Sequence, residues 1–176
     1  MPRPPVLLLL ALAPLPIAVA AALSSKPVLL INTSASEPTG VYLATGAPPR
    51  TGARIAFRIP QPGRAYAARA MPERLRSSVL KTIVAGQGDT VCTTSGRLII
   101  NGQDWAPIAE HDRHGGSLPR WRACRPLRSG EYFVFSNRIS NSFDSRYYGP
   151  VPADAVIGVY RPLRASEDAP GGEGAG

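Results

Sequence analysis

The sequence is poor in the residues that build metal and redox sites. Only two cysteines and two histidines occur in 176 residues. Two cysteines exclude a disulfide-dense mini-protein and a cysteine-rich zinc module. His111 and His114 leave few ligands for a metal centre, so the inventory predicts neither metal nor cofactor, and the pair is expected to be exposed. Lysine is scarce too: of 20 basic residues, only Lys26 and Lys81 are not arginine. The formal charge is +8, yet there is no basic run and no basic patch interleaved with aromatics. That distribution argues against a nucleic-acid partner, whereas an anionic lipid surface is compatible with it.

What is abundant points to a β-rich domain. Apolar residues make up 44% of the chain, enough to close one core. The 19 prolines and 17 glycines have no collagen-like period and favour short elements joined by many turns. Residues 5–23 form an uncharged apolar stretch of 19 residues, about the length that crosses a bilayer as a helix. Pro14 and Pro16 are tolerable there. The alanines at 20–22 resemble a cleavage region, so a removable signal peptide competes with a retained anchor. The length of the run favours the anchor.

Beyond it, short β-branched or aromatic segments bounded by turn residues predict strands at 26–32, 40–45, 53–59, 79–86, 89–94, 97–102, 131–137 and 155–161. One helix is expected from Ala65 to Ser77, interrupted by Pro72. The polar, Arg/Pro/Gly-rich stretch 102–129 reads as an extended flap, and residues 165–176 as a disordered tail.

Three clusters carry chemical potential. Lys81 sits among Leu80, Ile83, Val84 and Ala85 and, on a strand, shares a face with Ile83 and Ala85. Burial there lowers the pKa of an amine, which no arginine permits; the alternative is an edge-strand lysine reaching water. Ser34, Ser36, Pro38 and Gly40 form a rigid turn that presents a serine hydroxyl and its own N–H, or else an ordinary serine turn between strands. Ser142, Asp144 and Arg146 alternate, so an extended segment puts them on one face; the alternative is a polar loop with a weak exposed ion pair.

Together these segments resemble the signal peptidase I superfamily and, within it, the conjugative-transfer peptidases called TraF. The nucleophile motif of that group, N-x-[ST]-x-S-x-P-x-G-x-Y, matches Asn32 through Tyr42. The lysine box, K-x-[IV]-V-[AG]-x-x-G-D-x-V, matches Lys81 through Val91. The third box, N-S-x-D-S-R-x-[WYF]-G-x-V, matches Asn141 through Val151. Two departures from housekeeping signal peptidases point towards the TraF branch. No methionine follows Ser36, and Phe135-Ser136-Asn137-Arg138 is only a distant counterpart of the Gly-Asp-Asn-Arg opening of the third box.

The resemblance implies a mainly β, signal-peptidase-like domain of antiparallel sheet behind a single N-terminal transmembrane helix. Residues 1–4 would lie in the cytoplasm, 5–23 would anchor the chain in the inner membrane, and 26–164 would form the periplasmic peptidase domain. It implies Ser36 as nucleophile, Lys81 as general base, Ser34 as oxyanion support and Ser142 as the group orienting the lysine, with Asp144 and Arg146 as the structural pair beside them. No cofactor is implied. The implied partners are the bilayer, a pilin precursor or another membrane-tethered preprotein with an Ala-x-Ala-like site, and other proteins of the transfer apparatus. Cleavage in some relatives ends in head-to-tail cyclisation. A general type I signal peptidase is the rival reading, and a non-catalytic scaffold the third. In an exported domain, Cys92 and Cys124 are candidates for a disulfide closing about 33 residues; two unpaired buried thiols are the alternative.

Overall fold

The structure, a computed structural model, describes residues 27–163 apart from 62, 74, 75 and 77. The expected anchor at 5–23 and tail at 165–176 lie outside the described residues. Among the described residues, no helix is long and apolar enough to cross a membrane.

The chain opens with the strands β1 (Leu29–Asn32), β2 (Gly40–Ala44) and β3 (Arg54–Phe57), followed by helix α1 (Gly63–Ala70). Strands β4 (Val79–Ala85), β5 (Thr90–Thr94), β6 (Arg97–Ile100), β7 (Gln103–Pro107), β8 (Cys124–Pro126) and β9 (Glu131–Phe135) come next. A one-turn helix, α2 (Ser145–Tyr148), and the strands β10 (Val151–Pro152) and β11 (Val156–Pro162) complete it. Seven strands form one sheet in the order β1-β2-β11-β3-β4-β9-β10, and four form a second in the order β7-β6-β5-β8. Neighbours pair antiparallel throughout.

The placement of β4 matters most. It lies between β3 and β9, so both of its edges are paired. Leu80 packs on one side with Tyr42, Ala56 and Tyr160. Ile83 packs on the other with Ile55, Phe57, Val134, Tyr147 and Tyr148. Lys81 is in register with Ile55 and, with side chains alternating, points to the same side as Ile83. The edge-strand alternative for Lys81 is therefore excluded. A further core joins the two sheets, with Ala85, Phe133 and Phe135 meeting Val91, Leu98 and Ile100.

Three expectations need correction. The stretch 102–129 is not a continuous loop, because β7 and β8 occupy its two ends. Their composition conceals them: β8 reads Cys-Arg-Pro and is held by its ladder to β5, in which Cys92 and Cys124 face and are bonded to each other. The helix spans Gly63–Ala70 instead of Ala65–Ser77, since the residue before Pro72 is disfavoured in helical conformation. Finally, 142–146 is not extended throughout, since the chain enters α2 at Ser145. Asp144 caps α2 by accepting from the Arg146 N–H, which turns the chain out of the alternation.

Candidate active site

The loop between β1 and β2 is folded around one side chain. The Asn32 amide donates to the carbonyls of Ser34, Glu37 and Pro38 at 3.0, 3.1 and 2.9 Å, while its oxygen accepts from the Ser34 N–H at 3.1 Å. The Tyr42 hydroxyl also donates to the Pro38 carbonyl, at 2.7 Å. Gly40 has φ of +139°, a conformation side chains disfavour, and this lets the loop return to β2 directly after the proline. The result is a rigid turn with Ser36 at its inner side.

Ser36 is 2% exposed. Its hydroxyl lies 2.9 Å from the Ser34 hydroxyl. Its N–H reaches the same Ser34 oxygen only at 3.4 Å, a long bond that leaves the donor weakly committed. Its carbonyl accepts from the Ser136 hydroxyl, which follows β9.

Lys81 is 4% exposed, and its ammonium donates to the Ser142 hydroxyl at 2.9 Å. Burial pulls its pKa down from 10.5 to about 8, against the negative charges of Asp144 and Glu37 and with help from Arg146. Behind Ser142, the Arg146 guanidinium grips Asp144 with Nε and Nη2 at 2.8 and 2.9 Å. The same Nη2 donates to the Ser142 carbonyl at 3.0 Å, and Nη1 to the Pro107 carbonyl at 2.8 Å. The guanidinium lies over the rings of Phe135 and Tyr147. A fork this buried is a fixture of the wall and not an exposed pair of small worth.

A cavity of about 730 Å³ brings Ser34, Ser36, Lys81 and Ser142 together. Asp144 and Arg146 stand behind its wall, and the disulfide of Cys92 and Cys124 belongs to the smaller sheet. Apolar side chains, including Leu30, Leu80, Met71 and Phe143, line much of the rest. The segment 109–118 closes one side. It is pinned by Asp112, which accepts from the Tyr66 hydroxyl at 2.7 Å and from the His114 and Gly116 N–H groups at 2.9 and 2.8 Å. His111 and His114 are exposed, as expected from the sequence, yet both line this cavity.

Glu37, Ser136, Tyr66 and Asp112 were not singled out by sequence reasoning. Their partners are remote along the chain, and only a flanking serine in the Phe135–Arg138 stretch hinted at one of them.

A family model described as "Signal peptidase, peptidase S26" matches residues 6–163. The chain belongs to that family. Signal peptidases of this family are serine peptidases. Among its relatives, a plasmid transfer protein TraF from Escherichia coli is 32% identical over 76% of this chain and 81% of its own length. A second TraF from the same species is 30% identical over 76% of this chain and 80% of its own. A signal peptidase I from Leptolyngbya laminosa is 29% identical over 63% of this chain and 50% of its own. The crystal structure of a signal peptidase I from Enterococcus faecalis aligns over 65% of this chain and 98% of its own, at 22% identity and a TM-score of 0.39.

Proposed function

We propose that this signal peptidase is a membrane-anchored serine endopeptidase that cuts a conjugative pilin precursor, using Ser36 as nucleophile and Lys81 as general base. The observation that carries the reading is the joint placement of a buried serine and a buried lysine on one largely apolar cavity. An amine with a pKa near 8 is neutral in an appreciable fraction of molecules near neutral pH, which a base requires and a surface lysine does not offer.

The chemistry follows from the groups present. The Lys81 amine takes the proton of the Ser36 hydroxyl as its oxygen bonds to the scissile carbonyl carbon. The resulting oxyanion is met by the Ser36 N–H and the Ser34 hydroxyl, each worth about 2.7–4 kcal/mol in a site that excludes water. Lys81 then returns the proton to the leaving nitrogen as the C–N bond breaks, leaving an ester on Ser36. Water, or an amine of the same substrate, attacks that ester; Lys81 takes the attacking group's proton and passes it to the Ser36 oxygen as it departs. Water gives a free carboxylate, whereas an internal amine gives a ring. Ser142 holds the Lys81 amine in place, and Asp144 with Arg146 holds Ser142.

The likeness to the TraF proteins favours a plasmid-transfer substrate, and an inner-membrane anchor at 5–23 with the domain in the periplasm fits a site that opens about a dozen residues after the apolar run. Other transfer proteins are further expected partners.

The test is co-expression of the full chain with the pilin precursor encoded beside it, followed by intact mass of the precursor. Wild type is expected to truncate it, while Ser36→Ala and Lys81→Arg leave it whole. A product lighter by one further water marks cyclisation. Processing by Lys81→Arg would remove Lys81 from the mechanism, and cleavage of many unrelated preproteins would favour a general signal peptidase.

A further inference from the structure

Glu37 follows the nucleophile directly and is 3% exposed. Nothing in the chemistry above uses it. Its carboxylate is nonetheless saturated: Oε1 accepts from the N–H and the hydroxyl of Thr82, both at 2.8 Å, and Oε2 accepts from Arg54 Nε at 2.9 Å. Thr82 is the residue after Lys81. Arg54 and Thr82 are also register partners on β3 and β4. One side chain thus bonds two adjacent strands of the large sheet to the peptide unit that carries Ser36.

We propose that Glu37 is a positioning residue: its buried carboxylate fixes the peptide bearing Ser36 onto the strand bearing Lys81 and so sets the approach of nucleophile to base. The inference rests on the Ser36/Lys81 reading. Ser36 and Lys81 are 45 residues apart in sequence, and their elements share no ladder: β1 and β2 pair with each other and β11, whereas β4 pairs with β3 and β9. Some bond across that gap must hold the pair, because a misplacement of about 1 Å costs on the order of a hundredfold in rate. Asn32 shapes the loop internally and does not reach β4. The Ser136 hydroxyl ties the Ser36 carbonyl to the end of β9, at the other side of β4. Glu37 makes the direct connection, through two short bonds to Thr82 of β4 and a charge-assisted bond to Arg54 of β3.

Its charge has a second effect on the same lysine. Lys81 is faced by Glu37 from the nucleophile loop and by Asp144 and Arg146 from α2, with Arg54 of β3 paired to Glu37. Glu37 favours the ammonium form, so its neutralisation moves the Lys81 titration to lower pH. A residue that only supported the fold would lower stability without moving that titration.

The test uses the full chain in detergent and a fluorogenic peptide with an Ala-x-Ala site, with kcat and KM measured from pH 6 to 10 for wild type, Glu37→Gln, Glu37→Ala and Ser36→Ala. Melting temperatures are recorded for each. Glu37→Gln keeps the size of the side chain and an acceptor for Thr82; it is expected to lower kcat about tenfold with little change in KM, and to shift the rising limb of the profile to lower pH. Glu37→Ala is expected to lose more of kcat while still melting cooperatively. Wild-type kcat in the folded Glu37 variants, with Ser36→Ala inactive, would overturn the role of Glu37 alone, wherever the limb lies. Activity in Ser36→Ala would overturn the underlying reading together with it. If Glu37→Ala fails to melt cooperatively, the kcat of the folded Glu37→Gln variant, measured against its KM, decides the matter.

Discussion

The Lys81 ammonium donates to the Ser142 hydroxyl at 2.9 Å, and the backbone carbonyl of that same Ser142 accepts from Arg146. The lysine is thereby aimed by a residue that is itself held from behind. Ser142→Ala should lower kcat by about 10–100-fold with KM little affected, because an unheld amine samples unproductive rotamers. Peptide cleavage by the folded variant checks this, and an unchanged kcat would show that the hydroxyl has no orienting role.

The pH dependence follows from the depressed pKa of Lys81. In the proposed mechanism Lys81 acts when neutral, so kcat/KM should rise tenfold per unit below about pH 8 and level off above it. The sign for stability is the same. With a folded pKa near 8 and an ordinary value of 10.5, the unfolded chain binds more protons between those values, so the Lys81 contribution to stability improves as pH rises across that window. Lys81→Met should therefore be inactive yet more stable at pH 7, by about 3 kcal/mol at most. Urea unfolding at pH 7 and pH 10 tests it: the gain should shrink at the higher pH.

The bond between Cys92 and Cys124 spans 32 residues of sequence. A loop of this length is worth about 3–4 kcal/mol in the chain-entropy account. Replacement of both cysteines by serine should lower the melting temperature by roughly 10 °C while leaving a folded, active enzyme, since neither residue borders the cavity. A melting point unmoved by reductant in the wild type would count against a stabilising bridge.

Tyr148 presents the opposite case. Its hydroxyl is buried and is the one buried side-chain polar atom without a hydrogen-bond partner among the described residues. An unsatisfied buried hydroxyl costs about 1–3 kcal/mol. Tyr148→Phe keeps the ring contacts with Phe57 and Phe143 and should raise the unfolding midpoint in urea without changing its slope. Destabilisation by this change would mean that the hydroxyl has a partner in solution.

The interior strands of the large sheet were legible because each carries its own β-branched or aromatic run, as Arg54–Phe57, Val79–Ala85 and Glu131–Phe135 do. Strands β7, β8 and β10 were not, since Cys-Arg-Pro or Val-Pro is held in extended form by a neighbour and not by local preference. The face of Lys81 could be read from alternation, whereas its depth depends on β3 and β9 arriving from either side. Asp144 and Arg146 were recognisable as a pair, but the conformation that joins them is a helix cap and not a strand. Glu37 left no signal at all: its partners, Arg54 and Thr82, are brought near only by the register of two strands.

The excursion from β5 to β8 leaves the large sheet after β4 and returns in β9, which lies directly beside β4. Departure and return are thus neighbouring points on one rigid frame. Ser36, Lys81 and Ser142 all sit on that frame, while the segment 109–118, which walls the cavity, sits on the excursion. Changes at the exposed positions of this segment, such as His111, Arg113 and His114, alter the cavity wall without touching the strands that carry the groups at its floor. The wall of the cavity and its floor are thus carried by separate stretches of chain, one on the excursion and one on the large sheet.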